Sequence, residues 1–177
     1  MHGFANTRTL ELLLVCLLAC SAVPPVRGEV IERVLAVVDG SLITLSDVNA
    51  ASDLGLVAPL SSGDPVRDVL PLLIDRQLQL AEVDRYAPPD PAPAEIDREV
   101  QAVQMRFPSP DAFEAALARS GTNMARLRDT VRDDLRIRAY LDQRFPTSDV
   151  RRQQVVNDWI AGLRRRADIV ETYLISR

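Results

Sequence analysis

The sequence predicts a mainly α-helical domain of five or six helices, completed by a small antiparallel sheet in which an N-terminal hairpin meets a C-terminal strand. Three observations predict it. Residues 30–38 are rich in β-branched side chains and run into Asp39-Gly40, a pair that supplies the two positive-φ positions of a tight hairpin turn. From residue 47 to 166, apolar residues recur at three- and four-residue spacing, punctuated by proline, glycine and serine. The chain then runs into DIVETYL, residues 168–174, which again reads as strand. An isolated two-stranded ribbon is marginal in water. The economical arrangement therefore pairs residues 169–174 antiparallel with residues 33–38, and the last ten or so residues become integral to the fold.

Residues 1–28 are expected to lie outside the folded domain as a signal peptide, leaving residues 29–177 as one domain. Arg8 supplies a sparse positive n-region, and residues 10–20 form an apolar stretch broken by Glu11. That stretch is too short for a membrane-spanning helix, which needs roughly 20 apolar residues. Pro24, Pro25 and Gly28 follow, with modest residues where a signal peptidase cuts. Leu17-Leu18-Ala19-Cys20 also has the outline of a lipobox, although Leu18 is not the small residue preferred there. Ordinary cleavage is the first reading; lipidation at Cys20, with membrane attachment only in that case, is the alternative. Both cysteines, Cys16 and Cys20, and the only histidine, His2, lie in this segment. An export route fits a remaining chain free of thiols, and the expected location is the periplasm.

The elements follow in order. Residues 42–45 form the return strand of the hairpin, and Ser46 is the expected N-cap of a first helix over 47–54, with Asp47 against the positive end of the dipole. Gly55 and Ser61-Ser62-Gly63 mark a loop. Asp64-Pro65 starts helix two, which runs to residue 86, with Leu70, Ile74 and Leu78 stepping by four along its apolar face. Pro71 predicts a kink or a later start. The proline-rich connector 87–93 precedes helix three, 94–106. Ser109 caps helix four, which directs Phe113 and Leu117 inward and ends at Gly121. Thr122 is the expected cap of helix five, 123–145, carried by Leu127, Val131 and Leu135 with Ile137, Tyr140 and Leu141. Its other face is read as solvated, with weak helical ion pairs of Asp129 with Arg132, Asp133 with Arg136 and Asp134 with Arg138. Helix six starts at Thr147 or Ser148. Val155, Val156, Trp159, Ile160 and Leu163 form its stripe, and Arg164, Arg165 and Arg166 sit at its C-terminal end, where cations suit the dipole.

Composition excludes several classes of function. The net charge is −4, becoming −5 once Arg8, Glu11 and Arg27 leave with the first 28 residues, and every basic side chain is arginine. A net acidic chain is a poor nucleic-acid binder. Without histidine or cysteine after residue 20, the common general base and the usual nucleophile dyads are missing. Asp133 and Asp134 are adjacent on a helix and cannot face each other as an acid–base pair. No glycine-rich phosphate loop and no metal-ligand spacing occurs, so no catalytic residue, metal or cofactor is expected.

Several segments, in their order along the chain, resemble the SurA-type periplasmic chaperones, a family that often carries parvulin prolyl-isomerase modules. They are AVVDGSLITLSDV at 36–48, LLIDRQLQLAE at 72–82, AEIDREV at 94–100, LRIRAYLDQRF at 135–145 and WIAGLRRRADI at 159–169. The resemblance covers nearly all of residues 29–177. It implies a non-catalytic chaperone that holds unfolded outer-membrane or other exported polypeptides and prevents their aggregation. The departure is at residues 145–148, where the family usually inserts the parvulin module and this chain has only Phe145, Pro146, Thr147 and Ser148. Prolyl-isomerase activity is therefore not implied.

A holdase of this kind needs shallow, adaptable apolar surface rather than a deep specific pocket. Met105, Phe107, Phe113, Leu117 and Met124 lie around the short third and fourth helices and their prolines, and these five are the candidate client contacts. For Phe113 and Leu117, packing of the helices against each other is the stronger expectation. The alternative function is a dedicated interaction subunit or lipid-anchored partner in an envelope assembly. The chain is expected to act as a monomer or as a dimer that exchanges its terminal strand.

Overall fold

The computed structural model describes residues 32–57, 63–146 and 150–172. The signal-peptide and Cys20 expectations, and residues 173–174 of the expected last strand, fall outside them. The described elements are β1 (Val34–Val38), β2 (Ser41–Thr44), α1 (Leu45–Asp53), α2 (Pro65–Tyr86), α3 (Pro93–Gln104), α4 (Pro110–Arg119), α5 (Met124–Arg144), α6 (Val150–Arg164) and β3 (Ile169–Glu171). This is the mainly α architecture with a small antiparallel sheet that the sequence implies.

Asp39 and Gly40 take φ values of 47° and 85°, so the turn has the two left-handed positions its residues suit. β1 and β2 pair antiparallel, with Val38 opposite Ser41 and an irregularity between Val34 and Ala36. β3 joins the other edge of β1, pairing Val38 with Ile169, Val37 with Val170 and Ala36 with Glu171, so the strand order is β2-β1-β3. Asp168 fixes this register: its carbonyl accepts from Asp39 N–H at 2.9 Å, and its own N–H donates to Asp39 Oδ1 at 2.9 Å.

Two caps differ from the sequence expectation. α1 is capped by Thr44, not Ser46. The hairpin register leaves Thr44 extended at the end of β2 (φ −115°, ψ 169°), and Thr44 and Asp47 form a reciprocal capping box. Ser46 instead donates its hydroxyl to Glu32 Oε1, which also accepts from Thr44 Oγ1 at 2.7 Å. α5 is capped by Asn123, whose side chain accepts from Arg126 N–H, not by Thr122. Thr122 is used by the helix before it. Gly121 (φ 70°) and Thr122 donate back to the carbonyls of Ala118 and Leu117, the double closure of a Schellman end to α4. Of the kink or later start expected at Pro71, the later start does not occur. Asp64 Oδ1 accepts from Val66 and Arg67 N–H, and α2 runs from Pro65 through Pro71.

Apolar burial falls into three clusters. The first joins Leu35, Ala36 and Val38 of β1, Ile43 of β2, Val48 and Ala51 of α1, Val69, Leu70, Ile74 and Leu78 of α2, and Leu163 of α6. The second binds Leu54 after α1 to Val100 and Val103 of α3, Phe113, Ala116 and Leu117 of α4, and Leu127, Val131 and Leu135 of α5. The third joins Val83, Ile137 and Tyr140, with Trp159 against them. There the Arg144 guanidinium lies 5.6–6.0 Å from the ring centres of Tyr140, Phe145 and Trp159. Burial pushes the Tyr140 hydroxyl above its ordinary pKa. Val155, expected in the apolar stripe of α6, faces outward; Val156 and Leu163 are buried.

The charged face of α5 is largely solvent-exposed, as the sequence implies, but its pairing is only partly intrahelical. Arg132–Asp129 and Arg136–Asp133 occur within the helix, at 3.3 and 3.8 Å, but Asp134 is held by Arg76 of α2 at 2.6 Å and Arg138 by Glu99 of α3 at 3.5 Å. Arg136 also reaches Asp84 and Asp90, and Arg128 reaches Asp97. The face is thus an inter-helix seam. Helical periodicity gives intrahelical neighbours only; which partner wins is set by how α2 and α3 pack across α5. The arginines at and just beyond the C-terminal end of α6 divide similarly. Arg164 pairs with Asp75 and donates to the Pro71 carbonyl at 2.8 Å, while Arg165 and Arg166 are exposed.

Candidate functional site

The turn between α3 and α4 makes a groove. α3 ends at Gln104 with Met105 as its C-cap, and Phe107-Pro108-Ser109-Pro110 cannot continue it, because each proline disfavours helical geometry in the residue before it. Ser109 then caps α4, accepting from Ala112 N–H at 3.2 Å. The reversal brings Gln101, Gln104 and Met105 of the α3 end alongside Pro110, Phe113, Glu114 and Leu117 of α4. Those four share one helical face at i, i+3, i+4 and i+7. Met124, opening α5, closes the third side. The groove has a volume of about 490 Å³, and all five candidate contacts line it.

Their burial divides the five by role. Phe113 and Leu117 are 3% and 8% exposed and form the floor, anchored in the second core cluster. Phe107 is half-buried and meets Phe113 edge to face, with ring centres 5.4 Å apart at 66°. Met105 and Met124 form the walls, 72% and 37% exposed. An unbranched thioether with that much freedom adapts its shape to whatever apolar group enters. Gln101, Gln104 and Ser109 offer uncharged hydrogen-bonding groups, and Glu114 is the only ionisable side chain in the lining. The arginine of the turn is turned away: Arg106 Nη1 donates to the Gly55 carbonyl at 2.5 Å, tying the turn to the end of α1.

Sequence reasoning missed Gln101, Gln104, Pro108, Ser109, Pro110 and Glu114. The signal that could find them is the helical spacing around Met105 and Phe113, once the turn is recognised as a reversal rather than a break. A second cavity of about 290 Å³ lies between β2, α1, α2 and α5, over Leu42, Ile43 and Leu73, with Arg76, Asp129 and Asp133 around it. Burial pushes the Asp133 carboxyl above its ordinary pKa, opposed by Arg76, Arg132 and Arg136. Arg76 is already committed to Asp134 and the Thr130 carbonyl, so this cavity is bounded by a satisfied ion-pair seam.

Among the described residues no cluster of histidine, cysteine, aspartate or glutamate is placed to hold a metal ion, and no helix is long and apolar enough to cross a membrane. The groove offers dispersion contact from its apolar floor and walls and hydrogen bonding from Gln101, Gln104 and Ser109. Comparison with protein-family models gives no match for this chain, and comparison with curated proteins gives none either.

Proposed function

We propose that the chain is a non-catalytic periplasmic chaperone of SurA-like type, holding unfolded outer-membrane or other exported polypeptides against aggregation. One observation supports this above the others: Met105, Phe107, Phe113, Leu117 and Met124, spread over the turn between α3 and α4, the face of α4 and the start of α5, converge on a single open groove with adaptable thioether walls over an ordered apolar floor. Such a surface suits weak, reversible capture of an apolar segment in extended form, because its walls reshape at little cost while its floor stays ordered. The short link between α5 and α6, residues 145–149, leaves no room for a parvulin module at that junction.

The test is suppression of aggregation by the purified protein, followed by light scattering, with several unrelated β-barrel precursors diluted from urea. The proposal requires protection of all of them at near-equimolar ratios. Protection of none, together with retrieval of one specific envelope protein by pull-down, would instead assign the chain to the class of dedicated interaction subunits. Palmitate labelling at Cys20 would bear on anchoring in either case.

A further inference from the structure

Glu114 is set apart from most of the other carboxylates on the helical body. Arginine partners hold Asp75, Glu82, Asp84, Asp90, Asp97, Glu99, Asp129, Asp133, Asp134 and Asp142. Among the described residues neither Glu114 nor Asp111, one turn before it, has such a partner. Both are exposed on α4. Glu114 follows Phe113 directly and shares the groove face with Pro110 and Leu117, so its carboxylate stands at the rim of the apolar floor. No arginine lines the groove, and Arg106, the basic residue of the turn itself, is drawn away to Gly55. The lining therefore carries one negative charge and no positive one.

We infer that the groove discriminates among apolar segments by flanking charge, with Glu114 selecting those that carry arginine or lysine beside their buried aromatic or aliphatic residue. This rests on the groove being the client site. A cationic side chain leaving the floor meets the rim carboxylate, and its aliphatic stem lies along Met105 or Met124. A segment flanked by glutamate meets repulsion at the same place. An exposed pair of this kind changes affinity by a small factor and weakens with salt. It acts mainly through steering of the encounter.

The experiment uses two fluorescent peptides with one shared aromatic core, flanked by arginines in one and glutamates in the other, titrated into the full chain and followed by anisotropy. At low ionic strength the arginine-flanked peptide should bind about two- to five-fold tighter. The preference should collapse in about 0.5 M salt and in Glu114→Gln, and invert in Glu114→Arg. Equal affinities for the wild type, or a preference that survives Glu114→Gln, would overturn the charge selection while leaving the groove reading standing. Binding of both peptides that is unchanged in Met105→Ser would overturn the groove reading beneath it.

Discussion

Substituting Val170→Pro tests the closing of the chain end onto the hairpin. Val170 is the middle residue of β3 and lies opposite Val37. Asp39 N–H bonds to the Asp168 carbonyl and Thr172 N–H to the Leu35 carbonyl, each at 2.9 Å. Hydrogen-bonded pairs alternate along an antiparallel ladder, so the Val37/Val170 pair between them exchanges both bonds, and the Val170 N–H faces β1. Proline deletes that donor. The lost bond is worth about 1 kcal/mol, and the Val37 carbonyl left unpaired adds about 1–3 kcal/mol. Val170 is 46% exposed, so lost burial contributes little, and Val170→Ala isolates the backbone effect. The expected difference between the two variants is about 2–4 kcal/mol, or roughly 7–14 °C in Tm for a domain of this size. Thermal unfolding followed by far-ultraviolet circular dichroism measures it. Melting of Val170→Pro within a degree or two of Val170→Ala would refute the argument that β3 is a structural strand of this sheet.

Asp133→Asn tests the ion-pair seam between α5 and α2. Burial raises the Asp133 pKa in the fold above its unfolded value, so the folded state favours the protonated form. The stabilising contribution is full below the unfolded value near 3.8 and is lost as pH rises through the raised folded value. The Asp133→Asn variant should therefore be no less stable than wild type at neutral pH, and urea titrations should show the wild type gaining on it as pH falls from neutral toward 3.8. A wild type that instead loses ground to the variant over that range would reverse the sign. Thr44→Ala removes the α1 cap and one of the hydroxyls that hold Glu32, and should lower stability by about 1–2 kcal/mol in urea. Ser46→Ala, at the position the sequence suggested, leaves the capping box intact and should cost less than Thr44→Ala; the reverse order would place the cap at Ser46.

The fold was legible where local rules have a single outcome. Asp39-Gly40 admits few turns other than the one observed, and Leu70, Ile74 and Leu78, or Leu127, Val131 and Leu135, bury as their four-residue steps require. Pairing of both chain ends followed from the inability of a lone hairpin to stand in water. Legibility failed where two neighbouring residues competed for one role. Thr44 and Ser46 both suit a cap, and only the register of β2 decides between them. Thr122 and Asn123 both suit the next, and Gly121 takes Thr122 for its own closure. The partners of the α5 arginines include carboxylates on α2 and α3, far away in sequence, which no intrahelical pattern reports. For the site, exposed methionines beside a proline turn were visible as unusual, whereas Glu114 looked like any surface carboxylate until its neighbours were known to lack arginine.

Client capture by the α3–α4 groove is measured by aggregation suppression by the double variant Met105→Ser, Phe107→Ser beside the wild type, against one unfolded β-barrel precursor. Neither side chain is fully buried, so far-ultraviolet dichroism should show the same helical content for both proteins. Protection should fall several-fold in the variant at equal concentration. Undiminished protection would place client binding elsewhere on the molecule, and loss of the helical signal would make these residues part of the packing instead of the site.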